Sequence, residues 1–303
     1  MKQKFRETKL NAKSMEHLTS VNDIIEDYKA QGYKLTLRQL YYQLVSRNII
    51  ANHDREYKKL SRVLTEGRMA GLVDWDAIED RLRRPQTVYT VDDIPDALED
   101  TYRQYRLNRQ KDQLNRVEVW VEKDAISNVL KRVTEKYGVP ILVNRGYGSV
   151  TAIKDAYDRF SWRLKQVNRY GGVEKVTILY LGDHDPSGLD MVRDINSRVG
   201  EMLNYDGYSS DFEIKPIALT MDQIKEHKPP PNPAKTTDNR SPEYIKKFGK
   251  ISWEVDALKP EILTSVLTEA IESEIDMTKY NKIVKRESKE KAEIKLFIDK
   301  YTE

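Results

Sequence analysis

Two short stretches place carboxylates at the ends of apolar runs. Glu122 closes VEVWV, and Asp183 and Asp185 follow ILYL in the segment ILYLGDHDPSGLD. Carboxylates at the C-terminal ends of parallel strands lie on the edge where such sheets bind ligands. If the two strands are neighbours, the three carboxylates converge, repel one another and raise one another's pKa. A divalent cation is then their natural partner. Asp185 before Pro186 also reads as a helix N-cap with proline at N1, a structural use of the same residue. A different chemistry is offered by Tyr42. Leu37, Leu40, Tyr41 and Leu44 form the apolar stripe of a short helix. Tyr42 lies about 100° further round, where it is expected to face outward, and shares a face with Arg38, four residues earlier. A phenol with an ordinary pKa of about 10 is a weak nucleophile until a cation or base assists it. Arg38 is suited to stabilise a phenolate or the charge of a phosphorane. Paired tyrosines on an amphipathic helix also serve packing alone.

The elements that must position these residues fall into two patterns. Up to about residue 90 the chain reads as short helices. One stripe is Val21, Ile24, Ile25 and Tyr28; a second follows Thr36 as cap; a third runs through Tyr57, Leu60 and Leu64 and stops before Gly67 and Gly71. Three helices in tight succession suggest a helix-turn-helix or winged-helix module. Residues 91–115 read as a charged connector helix. From 116 to 226 strand and helix alternate: strands at 117–121, 140–143, 176–181 and 212–219, with helix stripes between them. That alternation predicts an α/β unit with a doubly wound parallel sheet. Residues 227–303 read as a long Pro-, Lys- and Asn-rich surface loop followed by helices. The last of these, 282–300, is an exposed amphipathic helix with i, i+4 ion pairs.

Composition removes several classes of chemistry. The 303 residues contain no cysteine, so disulfides, thiolate nucleophiles, cysteine-bound zinc and iron–sulfur clusters are excluded. The four histidines never stand at i, i+4, which disfavours a histidine-built metal site. Any metal is therefore held by carboxylates, which favours Mg2+ or Mn2+. No apolar run approaches the ~18–20 residues of a membrane helix, and no apolar segment follows the basic N-terminus, so a cytoplasmic protein is expected. The net charge of +3 hides an asymmetry. Between Gln31 and Val73 eight basic residues face three acidic ones, an excess of five. Arg55, Lys58, Lys59 and Arg62 fall on the third helix, with Arg68 near its end, where a helix-turn-helix reader meets double-stranded DNA. Arg81, Arg83 and Arg84 extend the basic run.

A Glu after one apolar strand and DxDPxG after a later one resembles the Toprim fold of topoisomerases, primases and related nucleases. VWVEKDAISNVL and LGDHDPSGLDM are closer to one branch, the topoisomerase VI A subunit and the related meiotic double-strand-break protein, and most resemble the stand-alone "mini-A" homologues of bacteria and phages. The resemblance spans about residues 35–258, including WEVDAL at 253–258. Arg38-Gln39-Leu40-Tyr41-Tyr42 stands where that family carries its nucleophilic tyrosine, with Gln39 replacing a usual acidic residue. The resemblance implies a winged helix before a Toprim domain. It also implies Tyr42 attacking DNA to leave a 5′-phosphotyrosyl link, and a magnesium ion on Glu122, Asp183 and Asp185. A homodimer in which one protomer's tyrosine meets the other's metal is implied as well. The chain has no G-x-x-x-x-G-K-[ST] motif, so ATP-driven strand passage needs a separate ATPase subunit. Two rival readings stand beside this one: a Toprim nuclease that uses water, and a DNA-binding phage or mobile-element protein without turnover. Primase is disfavoured by the missing cysteines.

Overall fold

The N-terminal helices begin as their stripes require. Asn11 caps α1 (Ala12–Ala30), which buries Leu18, Val21, Ile24, Ile25 and Tyr28. Thr36 caps α2 (Leu37–Ser46) in a capping box: the Gln39 side chain accepts from the Thr36 amide at 2.9 Å. An amide at this third helical position does the capping work of the more usual acid. The third helix, α3 (Asp54–Met69), does not stop before Gly67 but runs through it. A Cβ on Gly67 would stand 2.8 Å from both Leu18 methyl carbons, so this glycine lets α1 and α3 close together rather than breaking the helix. The three helices share one core. The computed structural model describes residues 1–78, 88–166, 173–234, 238 and 240–302, and Arg81, Arg83 and Arg84 lie outside them.

The connector is shorter than its charge pattern suggests. Helix α4 (Ile94–Gln104) ends at Tyr105, and an irregular stretch leads into the sheet. Gln110 in that stretch imitates a strand. Its side-chain amide accepts from the Val117 N–H at 2.9 Å and donates to the Val117 carbonyl at 3.1 Å.

The second unit is a mixed α/β structure around a four-stranded parallel sheet. Its strands are β1 (Asn115–Val121), β2 (Ile141–Val143), β3 (Lys175–Leu181) and β4 (Phe212–Ala218), in the order β2-β1-β3-β4. The intervening helices are α5 (Asp124–Tyr137), α6 (Val150–Leu164) and α7 (Pro186–Tyr205). Both central strands are apolar on both faces because both faces are covered. On one side α6 and α7 bury Phe160, Ile195 and Val199 against Trp120, Ile178 and Tyr180. On the other, α5 and α10 (Pro260–Glu274) bury Ile126, Leu130, Leu263 and Leu267 against Val119 and Leu179. At about 1.5–3 kcal/mol per buried large aliphatic side chain, these two layers are what fixes the strand ends in space.

Residues 227–242 are not one surface loop. After the short helix α8 (Met221–His227), β5 (Asn232–Pro233) pairs antiparallel with β6 (Ile251–Ser252), with α9 (Ser241–Phe248) between them. Proline is tolerated there because a two-stranded ribbon needs few amide donors. The last helix, α11 (Met277–Thr302), carries the expected i, i+4 pairs Arg286–Glu290, Lys289–Glu293 and Lys295–Asp299. It packs on α4 and anchors the connector through Glu287, which is buried and accepts from Arg109 at 2.6 Å and the Leu107 amide at 2.9 Å. Among the described residues no helix is long and apolar enough to cross a membrane.

Candidate functional site

Strands β1 and β3 are neighbours in register, with Val121 opposite Leu181. Glu122 and Asp183 therefore leave the same edge side by side. The Asp183 amide donates to Glu122 Oε2 at 2.9 Å. Asp185 is the N-cap of α7, its Oδ1 accepting from the Gly188 amide at 2.6 Å and the Ser187 hydroxyl at 3.1 Å. The structural and the chemical readings of Asp185 thus coexist in one carboxylate. The glycine of DPSG has its own reason: a Cβ at Gly188 would lie 2.2 Å from the Asp183 carbonyl oxygen. Only glycine lets α7 start this close to the strand end. Gly188→Ala is therefore expected to cost about 2–4 kcal/mol in chemical denaturation. Gly200→Ala, in the same helix with open space around the new carbon, should gain about 0.5–1 kcal/mol.

Lys123, which the sequence reading passed over, sits at the centre of the carboxylates. Its ammonium lies 2.7 Å from Asp183 Oδ2 and 3.3 Å from Glu254 Oε2. A lysine directly after a strand-end glutamate looks like any solvated charge, and the sequence contains no sign that it folds inward. The other Asp183 oxygen accepts from the Val255 amide at 3.0 Å. Residues 253–258 thus acquire a role. Trp253 pairs backbone to backbone with His184, and the 3-10 turn Val255–Ala257 carries Asp256 and Glu254 toward the N-terminal helices. Arg38 Nε donates to Asp256 Oδ2 at 2.9 Å, and its Nη2 donates to Glu254. Ala257 completes the core of the helical unit. WEVDAL is the bolt between the two halves.

Tyr42 is not outward-facing. It does leave the core stripe of α2, but the segment around Glu254 covers it, and it is only 5% exposed. The Glu254 carboxylate lies next to its phenol, and the Arg38 guanidinium stands 5.6 Å from its ring centroid. Helical geometry alone sees one helix and could not anticipate a cover supplied from 210 residues away. Tyr41 is held by Asn52, to which it donates at 3.0 Å, and by the His53 amide, from which it accepts at 2.7 Å. The two tyrosines, Arg38 and Asp54 line one wall of a cavity of about 450 Å³; Asp185 and Glu254 line the other.

The electrostatics follow from burial. Burial and the adjacent Glu122 push Asp183 up to about 8, against the pull of Lys123. Burial likewise raises Glu122 and Asp256. Glu122 and Asp183 titrate together, the first proton relieving their repulsion. Glu254 goes the other way: burial would raise it, but Lys123, Arg38 and the Tyr42 phenol bring it down to about 2. Burial, with Glu254 beside it, holds the Tyr42 phenol well above the ordinary tyrosine range despite Arg38. With all groups ionised, five carboxylates and two cations would carry an excess of three negative charges, which the cluster relieves by holding protons on its raised carboxyls. Asp256 Oδ1 is buried with no hydrogen-bond partner among the described residues. An all-oxygen donor set with uncompensated charge fits a hard divalent cation. As the side chains stand, however, no three Asp, Glu or His among the described residues are arranged to enclose an ion. The expected convergence of Glu122, Asp183 and Asp185 is partial because Lys123 takes Asp183 and the α7 amides take Asp185.

The basic residues of α3 divide. Arg55, Lys58 and Arg62 are exposed at i, i+3, i+7 on one face, next to Asp54 and Tyr57 at the cavity mouth. Lys59 is half-buried and pairs with Glu56 at 3.7 Å. Arg68 turns away altogether: it stacks over Trp75 at 4.5 Å and donates to the Trp75 carbonyl, so it supports the fold rather than a surface. No family model matches this chain, and no curated protein does.

Proposed function

We propose that this chain is a divalent-cation-dependent DNA-cleaving transesterase of the topoisomerase VI A type, with a winged-helix-like unit and a Toprim-like unit. The observation that carries this is the shared cavity, in which the Tyr42 phenol and Arg38 of the helical unit face Asp185 and Glu254 at the C-terminal edge of the parallel sheet. In the reaction the Tyr42 oxygen forms a bond to a backbone phosphorus, the bond from phosphorus to the 3′ oxygen breaks, and a 5′-phosphotyrosyl link remains. The phenol's proton passes to Glu254, the carboxylate next to it, and the departing 3′ oxygen takes one from solvent. With the Tyr42 phenol held high and Glu254 held low, that transfer is uphill in the present arrangement, so substrate must displace Glu254 from the guanidinium and ammonium that depress it. Arg38, freed in part, then faces the charge developing on the phosphate. Glu122, Asp183 and Asp185 would hold Mg2+ or Mn2+, which neutralises phosphate charge when bound. Duplex DNA lying across Arg55, Lys58 and Arg62 reaches the cavity mouth directly. Cutting both strands calls for two copies of the chain, and strand passage driven by ATP calls for a separate ATPase subunit.

The test uses supercoiled plasmid with Mg2+ or Mn2+, denatured with and without protease. Cut ends released only after proteolysis are expected, and they should vanish with EDTA. Free ends without protease would replace this reading by its hydrolytic rival. One observation favours that rival, the burial of the Tyr42 hydroxyl against Glu254.

A further inference from the structure

A second groove, far from the sheet's C-terminal edge, has a charge composition with no structural explanation. Arg103, Arg106 and Arg109 of the connector and Arg132 and Lys136 of α5 line an open volume of about 610 Å³, with Glu135 the one carboxylate on its wall. From Lys123, just before α5, to Arg132 is nine residues, about 13 Å of helix rise away from the carboxylate cluster. Other basic side chains on helix surfaces are answered by carboxylates, as Lys154 is by Asp158 and Arg286 by Glu290. Here Arg106, Arg132 and Lys136 form no ion pair among the described residues. They are held instead by neutral groups. Arg106 donates to the Arg103 and Tyr105 carbonyls at 3.1 and 2.7 Å. Arg132 reaches the Gln31 and Gly32 carbonyls at 3.4 Å and stacks on Tyr33 at 4.9 Å. Lys136 donates to the Tyr137 phenol at 2.9 Å. A guanidinium oriented by carbonyls keeps its full charge, and its conformational freedom is already spent. Clustering such charges is unfavourable by itself, so the groove is incomplete without an anion.

We infer that this groove is a second binding track for the phosphodiester backbone of duplex DNA, separate from the cavity at Tyr42. An open volume walled by several separate cations suits a chain of phosphates better than one enclosed phosphate. Arg132 also ties the groove to the helical unit, so bound DNA spans both halves. The inference shares with the proposed function only the identity of the polymer and does not depend on cleavage. The triple variant Arg106→Gln/Arg132→Gln/Lys136→Gln tests it. Arg109 is left intact because removing it would orphan the buried Glu287. Binding of a fluorescein-labelled 40-base-pair duplex is followed by anisotropy in EDTA between 50 and 200 mM NaCl, with the thermal melt confirming the fold. Affinity at 100 mM salt should fall at least about tenfold, and the slope of log K against log salt should shrink by about 2–3, near 0.9 per lost phosphate contact. An unchanged affinity and slope in a folded variant overturns the inference. So does a variant that loses binding of inorganic tripolyphosphate while holding duplex as the wild type does, since the groove then serves a free polyphosphate. Weakened duplex binding in a protein that never forms a phosphotyrosyl adduct would uphold the groove and remove the proposed function.

Discussion

On the proposed function, Tyr42→Phe is expected to remove the covalent protein–DNA adduct entirely and slow strand cleavage by at least about a thousandfold, while the protein stays folded. The rate follows from losing the nucleophile, since the neighbouring Tyr41 phenol is tied to Asn52 and the His53 amide and water reacts without being held there. The fold survives because the ring is kept. Tyr42 packs edge-on against Tyr41 at 5.2 Å and lies in the helical core, and phenylalanine fills the same space. What is lost is one hydroxyl beside an ionised carboxylate, at most about 1.5–3 kcal/mol, a fraction of a domain's stability. The readouts are gel mobility before and after protease and a urea melt of both proteins. Undiminished cutting by Tyr42→Phe, with no adduct in either protein, would assign the chemistry to the carboxylate edge alone. Loss of cutting with a collapsed melt would point to packing, and Tyr42→Trp, which keeps bulk without a nucleophilic oxygen, separates the two.

The legible parts of this chain are those governed by local periodicity. The parallel sheet was readable because strand and helix patterns alternate from 116 to 226, with VTILYL an almost unbroken apolar run that suits a strand covered on both faces. Neighbouring β1 and β3 then bring Glu122 beside Asp183. Thr36 and Asp185 were readable as caps because capping is a contact within four residues. What escaped is whatever depends on distant partners. Gly67 looked like a helix end, but Leu18 decides its role. Arg68 looked like a DNA contact, but Trp75 takes it. Tyr42 looked solvent-facing, and Lys123 looked like nothing in particular, until residues 253–257 closed over both. WEVDAL has no periodicity to betray this; its acidic pair matters only because Arg38 stands opposite, 216 and 218 residues away.

That distant pairing makes Arg38→Met the second large effect. The variant keeps the length and packing of the arginine stem but leaves Asp256, whose side chain is fully buried, and Glu254 with Lys123 as their sole nearby cation. Breaking a buried ion pair from one side costs about 3–5 kcal/mol, and the partial exposure of Arg38 lowers the expectation to about 2–4 kcal/mol. The pH dependence carries the sign. Glu254 in the wild type lies near 2 against an ordinary 4.5, so it contributes stability above pH 4.5 that is lost as pH falls through 2. Without Arg38 that contribution shrinks, and Asp256 rises further above its unfolded value. The deficit of Arg38→Met is therefore greatest near neutrality and narrows as pH falls below about 4.5. Urea melts from pH 7 to pH 3 check this, and a deficit independent of pH would mean that Arg38 acts through packing of its stem. The double variant Arg38→Met/Asp256→Leu completes the argument. Replacing both charges by apolar groups removes the desolvation that the pair must overcome, so it should recover much of the lost stability. It should not recover cleavage. A bolt kept only for stability could be replaced by grease; one that also sets Glu254 and the Tyr42 phenol cannot.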